Sequence, residues 1–478
     1  MKRLVALVCL VACGGAPSVA HAAGLYVTDR GVRPLGRGGA FVAGADDLGA
    51  IWYNPAGLAD AGSSVLVDFA WPDFNVQYTR QLRIQNPDGT IQEPVSPTVN
   101  GSNSFLPYPT IAGSYAFGPR KQLTVAFGVL APYISLTTFP MTIKDPQTGA
   151  QVASPARYAM GSFNGSLMAV PGAWIAWEPV KQFRIGAGLM ALAGTFQTTV
   201  TFSTSPATGL LAAAEDPSYD SSAQLSAGPV FAPAGNIGIT VVPVEEVRFG
   251  LSGQTPMVID APAQLRMQLP SASIYQGASQ DGTSAHIHFV LPAILRAGVE
   301  VRPAKGLRIE AAYVRELWSE QQTIDIGINN ISLDNVGANT LGSKVAIPNI
   351  TFPRGFQDSN SYRLGAEYHY SIGGYPVDTR LGFSYETSGV PTDYVSISSL
   401  DFTKVIASIG GSLYVSKHWR FDGTYAHVFY WNTYVDPNTA AIGRVNPIAG
   451  NPAFAPVNGG WYSATADVFG VGMNYKFQ

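Results

Sequence analysis

Residues 31–62 read GVRPLGRGGAFVAGADDLGAIWYNPAGLADAG. Gly and Ala dominate, an acidic pair stands at Asp46-Asp47, and Asn54-Pro55-Ala56 comes near the end. The stretch lacks the apolar–polar alternation of a half-buried strand. Small side chains let backbone press against backbone, and glycine tolerates positive φ. Such a segment suits a compact plug packed against surrounding walls. From Ser63 the chain changes character and reads as strands and turns almost to its end. The expected organisation is a plug over 23–62 followed by a container over 63–478.

Upstream lies a targeting segment, expected over 1–22. Lys2 and Arg3 give a charged start, residues 4–12 an apolar core, and Ala20-His21-Ala22 a small-residue cleavage site. The mature chain is expected to start at Ala23. A second pattern competes, because Leu10-Val11-Ala12-Cys13-Gly14 resembles a lipoprotein signal that leaves Cys13 lipidated. Both cysteines of the sequence, Cys9 and Cys13, fall in this segment, so cleavage after Ala22 excludes disulfides and Cys-ligated metals.

Charged residues make up 13% of the chain, against roughly 25% in an ordinary soluble protein. The 29 basic and 32 acidic residues leave no basic excess for nucleic acid. After the leader, no stretch approaches the roughly 18 apolar residues of a membrane helix. Low charge, abundant glycine and aromatics, and no apolar helix fit a barrel whose lipid-facing band is every second residue. Closure of the barrel also satisfies backbone groups that lipid cannot. No fixed-period repeat supports a solenoid.

Six tight turns punctuate the strands: Gly118-Pro119-Arg120-Lys121, Glu178-Pro179-Val180-Lys181, Pro243-Val244-Glu245-Glu246, Arg302-Pro303-Ala304-Lys305-Gly306, Ile372-Gly373-Gly374-Tyr375-Pro376 and Ser416-Lys417-His418. Seven longer connections alternate with them, at about 80–109, 132–161, 203–222, 256–285, 321–359, 387–400 and 433–461. That alternation predicts an all-β fold, a transmembrane antiparallel β-barrel of about 14 strands with the plug in its lumen. Both ends of the chain then lie in the periplasm.

Near the C-terminus the two faces separate cleanly. Phe469, Val471, Met473, Tyr475 and Phe477 suit lipid, and Val468, Gly470, Gly472, Asn474 and Lys476 suit a lumen. Tyr362, Leu364, Ala366 and Tyr368 alternate in the same way with Arg363, Gly365, Glu367 and His369. Trp419, Tyr430, Trp431, Trp461 and Tyr462 sit near strand ends, where an interfacial aromatic girdle belongs.

The order Gly36-Arg37, Asp46-Asp47, Asn54-Pro55-Ala56, at the start of a secreted strand-rich chain, resembles the FadL family. These are outer-membrane transporters of long-chain fatty acids and other hydrophobic compounds. Leu291-Pro292 with Arg296, Gly298, Ala311, Tyr313 and Trp318 looks like a middle hairpin of the family, and Ser388-Gly389-Val390-Pro391 with Asp401 like the loop before its twelfth strand. The chain departs from the family at Ser398-Ser399-Leu400, and Phe477 resembles the C-terminal aromatic signal of outer-membrane barrels except that Gln478 follows it.

The resemblance implies a 14-stranded barrel in the Gram-negative outer membrane, closed by a hatch of which Asp46, Asp47, Asn54, Pro55 and Ala56 form the motif. It also implies capture of a hydrophobic solute by the third and fourth outer loops, with Leu210, Leu211, Met257, Val258, Ile259, Leu265, Met267 and Leu269 as candidate groove residues. Lateral release would follow through a kinked third strand, for which Gly128 is the candidate weak point. In the family a basic residue is thought to hold the substrate carboxylate. Residues 185–224 contain none, which leaves Arg266, Arg296 and Lys404 as candidates. Expected partners are the solute, outer-membrane lipid and lipopolysaccharide, and the barrel-assembly machinery through the last strand, acting on a monomer.

Catalytic patterns are sparse. No Gly-x-Ser-x-Gly or His-Glu-x-x-His motif occurs. His286 and His288 share a face but lack a third ligand, so no metal, cofactor or catalytic residue is expected. Arg308, Glu310, Glu316, Arg363, Glu367, Arg380 and Glu386 are charged wall residues, read as an ion network that holds the hatch. Asp46 and Asp47 are expected to face Arg363 and Arg380. The rival readings are a polar diffusion porin, which needs an open lumen, and a barrel enzyme acting on lipids.

Overall fold

Turn chemistry sets the strand count. At Lys305-Gly306 and Gly373-Gly374 the chain reverses in two residues, and the three glycines take φ of +80°, +58° and +86°. L-residues with a Cβ rarely occupy that region. The structure, a computed structural model, describes residues 29–477 except 87, 104, 106, 132–136, 160, 163–165, 206–214, 338–343 and 449–454. The leader, its cleavage site and Cys13 lie outside the described residues.

Fourteen antiparallel strands form the wall. They are β1 (Ser64–Arg80), β2 (Tyr108–Phe117), β3 (Leu123–Leu130), β4 (Leu167–Val180), β5 (Phe183–Ser203) and β6 (Asp220–Val244). Four strands are each built of two pieces: β7 (Val247–Gln254 and Met257–Gln268), β8 (Ser284–Leu291 and Ile294–Ala304), β9 (Leu307–Glu316 and Thr323–Ile328) and β10 (Ile350–Pro353 and Ser359–Ile372). The wall ends with β11 (Tyr375–Glu386), β12 (Lys404–Tyr414), β13 (Trp419–Tyr430) and β14 (Gly460–Lys476). β1 pairs with β14 from Ser64↔Lys476 to Arg80↔Gly460, which closes the barrel and removes the edges.

The expected strand count holds, but two long connections are shorter than the turn signals implied. In β7, Met257, Ile259, Ala261, Ala263 and Leu265 point inward and are buried, while Val258, Asp260, Pro262, Gln264 and Arg266 point outward. This alternation continues the wall into what reads as a Pro-rich loop, and the connection proper is 269–283. Likewise Thr323–Ile328 and Ile350–Pro353 pair as wall, leaving 329–349. Two aromatics also leave the expected girdle. Tyr462 is buried, stacked on Tyr78 with ring centroids 4.5 Å apart. Tyr430 packs inward against Phe402. Trp419, Trp431 and Trp461 do face outward.

Inside the barrel, residues 29–62 form no strand. Three single helical turns, α1 (Val32–Leu35), α2 (Ala50–Tyr53) and α3 (Leu58–Ala61), are joined by tight bends. The hatch occupies the short-turn half of the lumen. Asp60 meets Arg184 at 2.9 Å and Arg248 at 2.8 Å, each one residue inside the start of its strand. Wall glycines admit it: a Cβ at Gly238 would overlap Asn54, and one at Gly382 would overlap Gly38. No helix among the described residues is long and apolar enough to cross a membrane.

Candidate functional site

The hatch is held to the wall by charge on one side. Arg33 donates to Glu367 of β10 at 2.8 and 3.0 Å and pairs with Asp46 and Asp47 within the hatch. Arg308 of β9 reaches Asp46 at 2.6 Å, the Gly44 carbonyl at 3.0 Å and Glu300 at 2.8 Å. Arg420 of β13 reaches Asp47 at 2.8 Å and, along its own strand, Asp422 at 2.9 Å. Glu310 accepts three successive hatch N–H groups, from Val42, Ala43 and Gly44, at 2.6, 2.8 and 3.0 Å. Those three hydrogen bonds offset part of the cost of burying the carboxyl group.

The partners of Asp46 and Asp47 are therefore Arg33, Arg308 and Arg420, and not Arg363 and Arg380. Arg363 turns to Asp29 and the Gly39 carbonyl, and Arg380 to Glu367 and Asp378. Glu316 accepts the Trp318 indole N–H at 2.7 Å.

On the opposite side charge enters only through the Asp60 pairs with Arg184 and Arg248, and the rest of the hold is neutral. The Asn54 amide donates to the Val42 carbonyl at 2.8 Å, and to the Ile239 carbonyl and Thr240 hydroxyl of β6 at 3.1 Å. Its side-chain oxygen accepts from Ala56 N, capping the turn that Pro55 begins. Asn236 of β6 donates to the Ile51 carbonyl at 2.8 Å. Asn54-Pro55-Ala56 thus lies against β5 and β6.

Gly128 is not a break in the wall. Its strand pairs without interruption from Leu123 to Leu130, with Ala112 on one side and Gly172 on the other. A Cβ there would stand 2.9 Å from the Ile111 carbonyl oxygen, 3.0 Å from Ala112 Cβ and 3.2 Å from Ile51 Cδ1, so the missing side chain eases packing against both β2 and the hatch.

Above the hatch, toward the long connections, lies a chamber of about 230 Å³. Leu192, Phe196, Leu225, Leu265, Ile287 and Phe352 are among its apolar lining. Among the described residues one cation belongs to it, Arg354, in the bend between the two pieces of β10. Arg354 Nη1 donates to the Ser398 carbonyl at 3.5 Å, and no acidic partner appears among the described residues. An apolar cavity ending in a cation without a counter-charge suits an amphipathic anion.

The sequence-derived candidates fall elsewhere. Arg266 points outward. Arg296 is buried, its guanidinium 5.2 Å from the Trp52 ring centroid. Lys404 is held by Glu386 at 2.6 Å and Asp401 at 3.0 Å. Of the groove residues, Leu265 lines the chamber and Met257 and Ile259 are buried wall, while Val258 faces out. Met267 and Leu269 are partly buried against the same core, and Leu210 and Leu211 lie outside the described residues. His286 and His288 sit on the outer face beside Asp260.

Over residues 15–477 the sequence matches the family described as outer membrane protein transport protein (OMPP1/FadL/TodX). No curated protein matches it in sequence. Among solved structures, a Pseudomonas aeruginosa FadL homologue superposes with a TM-score of 0.68 at 14% identity, covering 95% of this chain and 100% of that one. The P. putida toluene transporter TodX gives 0.58 at 13% identity, over 94% and 99% of the two chains. The Ralstonia pickettii toluene transporter TbuX gives 0.55 at 15%, over 94% and 99%. At these identities the likeness carries the fold.

Proposed function

The chain belongs to the outer-membrane FadL/TodX transport family, and from that membership we propose that it passes hydrophobic carboxylates, long-chain fatty acids among them, through the outer membrane by diffusion down their gradient. The observation that carries this reading is the apolar chamber with Arg354 at its edge, set above a hatch that fills the short-turn half of the lumen. Burying apolar surface is favourable by roughly 25 cal/mol per Å², which draws such a solute out of water. Arg354 then orders the head group. A neutral hydrocarbon makes no use of it.

Two features favour release sideways into the membrane. The hatch is anchored on both sides of the lumen, so the floor is obstructed. A solute that prefers lipid also gains nothing by entering periplasmic water. The outer connections around 204–219 and 269–283 supply the capture surface in this reading. A barrel closed by β1 and β14 needs no second copy to complete its wall. The polar-porin reading requires an unobstructed lumen, and the enzyme reading a nucleophile with its base in the chamber.

The direct test is mass spectrometry of solvent extracts of the purified protein. Monocarboxylic acids enriched over bulk membrane lipid are expected. Extracts holding hydrocarbon, or phospholipid alone, contradict the carboxylate reading.

A further inference from the structure

The ladder between β6 and β7 has a window. Below it the strands pair from Val241↔Phe249 to Asn236↔Gln254, and above it from Ala227↔Ala263 to Ser222↔Gln268. Residues 228–234 of β6 and 256–262 of β7 form no rung with each other. The last contact below is at Gly235 and Thr255, whose N–H donates to the Gly235 carbonyl at 2.9 Å.

Phase explains the window. In β6 the inward residues are Ala223, Leu225 and Ala227 above it, then Val230, Ala232 and Ala234, so the alternation slips by one at Gly228-Pro229. In β7 the inward residues are Ser252 and Gln254, then Met257 and Ile259, so the slip comes at Thr255-Pro256, lower in the wall. Between the two slips the strands present opposite faces at equal height, and opposite residues cannot form a regular ladder. Pro229, Pro233, Pro256 and Pro262 also bring no N–H to this stretch. β7 and β8 slip at the same height, and their pairing resumes from Met257↔Leu291. β5 remains paired with β6 along the window, from Leu189↔Gly235 to Gly194↔Val230. Each side of the window is thus secured by its other neighbour.

The window adjoins the chamber. Its inner row is apolar and buried, with Val230, Ala232 and Ala234 on β6 and Met257, Ile259 and Ala261 on β7. Just above, Leu225 and Leu265 line the chamber. A second cavity of about 440 Å³ lies at the window's upper edge, lined by Ala227, Gly228, Pro262, Ala263 and Phe196 among others. Phe196 lines both cavities. On the outer face Phe231 is 70% and Val258 46% exposed, apolar surface suited to lipid. Asp260, Gln264 and Ser226 above them are polar. The window therefore occupies the upper part of the apolar belt.

We propose that this seam between β6 and β7, and not β3, is the lateral door through which the hydrophobic solute passes from the chamber into the outer leaflet. The inference rests on the lateral-release reading above. Opening the seam there breaks no ladder rung. Elsewhere, as along β3, a door would strip rungs whose polar groups lipid cannot satisfy.

The test is cross-linking in whole cells, since Cys9 and Cys13, the two cysteines of the sequence, lie in the leader. Phe231→Cys with Val258→Cys puts one outward thiol on each side of the seam. Phe127→Cys with Ala173→Cys puts two on a paired rung of β3 and β4. Each pair is joined by a reducible bismaleimide, and uptake of labelled oleate is followed. The seam cross-link is expected to cut uptake at least about tenfold, with recovery on reduction, while purified cross-linked protein still binds oleate. The β3–β4 cross-link is expected to leave uptake unchanged. Uptake blocked at β3–β4 but normal with a verified seam cross-link overturns this door and leaves lateral release standing. Normal uptake with both overturns lateral release as well. Loss of oleate binding on seam cross-linking makes the seam part of the chamber and overturns its role as an exit.

Discussion

Arg33 of the hatch and Glu367 of β10 are joined by two parallel hydrogen bonds, Nη2 to Oε1 at 2.8 Å and Nε to Oε2 at 3.0 Å. Both side chains are buried, and Glu367 is shared with Arg308 and Arg380. The pair sits where hatch, β9, β10 and β11 converge. Removing one partner leaves the others with uncompensated charge. Breaking a buried pair costs about 3–5 kcal/mol, while an exposed one contributes about 0–1 kcal/mol.

Arg33→Ala should therefore loosen the hatch, lower the unfolding temperature and speed proteolysis of 29–62 from the periplasmic side. Arg83→Ala is the control, because Arg83–Glu93 is an outer-loop pair with side chains 31% and 35% exposed. It should change neither. Equal protease resistance in Arg33→Ala and wild type would mean that the ion network does not hold the hatch.

Hatch and wall also meet through glycine. A Cβ at Gly382 would overlap Gly38 N and the Arg37 carbonyl carbon. Gly382→Val should displace the hatch without touching its charges and raise single-channel conductance in a planar bilayer, as deletion of 31–57 should. A wild-type conductance already as large as that of the deletion would favour an open porin.

Arg354 separates carboxylates from neutral solutes. Arg354→Ala should weaken oleate binding by about tenfold to a hundredfold, since a hydrogen bond to a charged group contributes about 1.5–3 kcal/mol. Oleyl alcohol affinity should move less than about twofold, and Arg354→Lys should keep most of the oleate affinity. Parallel losses for acid and alcohol would reduce Arg354 to a packing role. Titration calorimetry in detergent measures all three.

One outer connection carries a pH dependence. Burial pushes Asp401, in 387–403, up to about 7, while Lys404 at 3.0 Å opposes the rise and the Glu386 carboxylate adds to it. The folded pKa lies above the unfolded one near 3.9, so the folded state binds more protons between these values and stability falls as pH rises through the window. Hydrogen exchange in 387–403, corrected for intrinsic rates, should be slower at pH 5 than at pH 8. Asp401→Asn should flatten the difference, and a flat wild-type profile would contradict it.

Much of the wall was legible in the sequence. Turn signals such as Lys305-Gly306 and Gly373-Gly374 are local, and residues 468–477 alternate as a lipid-facing strand must. The extension of β7 was legible too, in the inward series Met257, Ile259, Ala261, but Pro256 and Pro262 made it read as a loop. Which charge meets which was not legible. Arg308 and Arg363 look alike in their strands, and only the path of the hatch directs the first to Asp46 and the second to Asp29. Arg354 was missed for a related reason. Its distinction is the absence of an acidic neighbour among the described residues, which depends on the fold around it. A cue exists in Phe352-Pro353-Arg354-Gly355-Phe356, a lone cation between two aromatics.

Passage of a hydrophobic carboxylate through the hatch-closed barrel is read out by uptake of labelled oleate into cells that lack other outer-membrane fatty-acid carriers. Expression of this chain should raise the uptake rate well above the vector control, and Arg354→Ala should return it most of the way. Oleate uptake equal to the vector control, in cells whose outer membranes carry the folded protein and have become permeable to small sugars, would contradict the account and identify a polar pore.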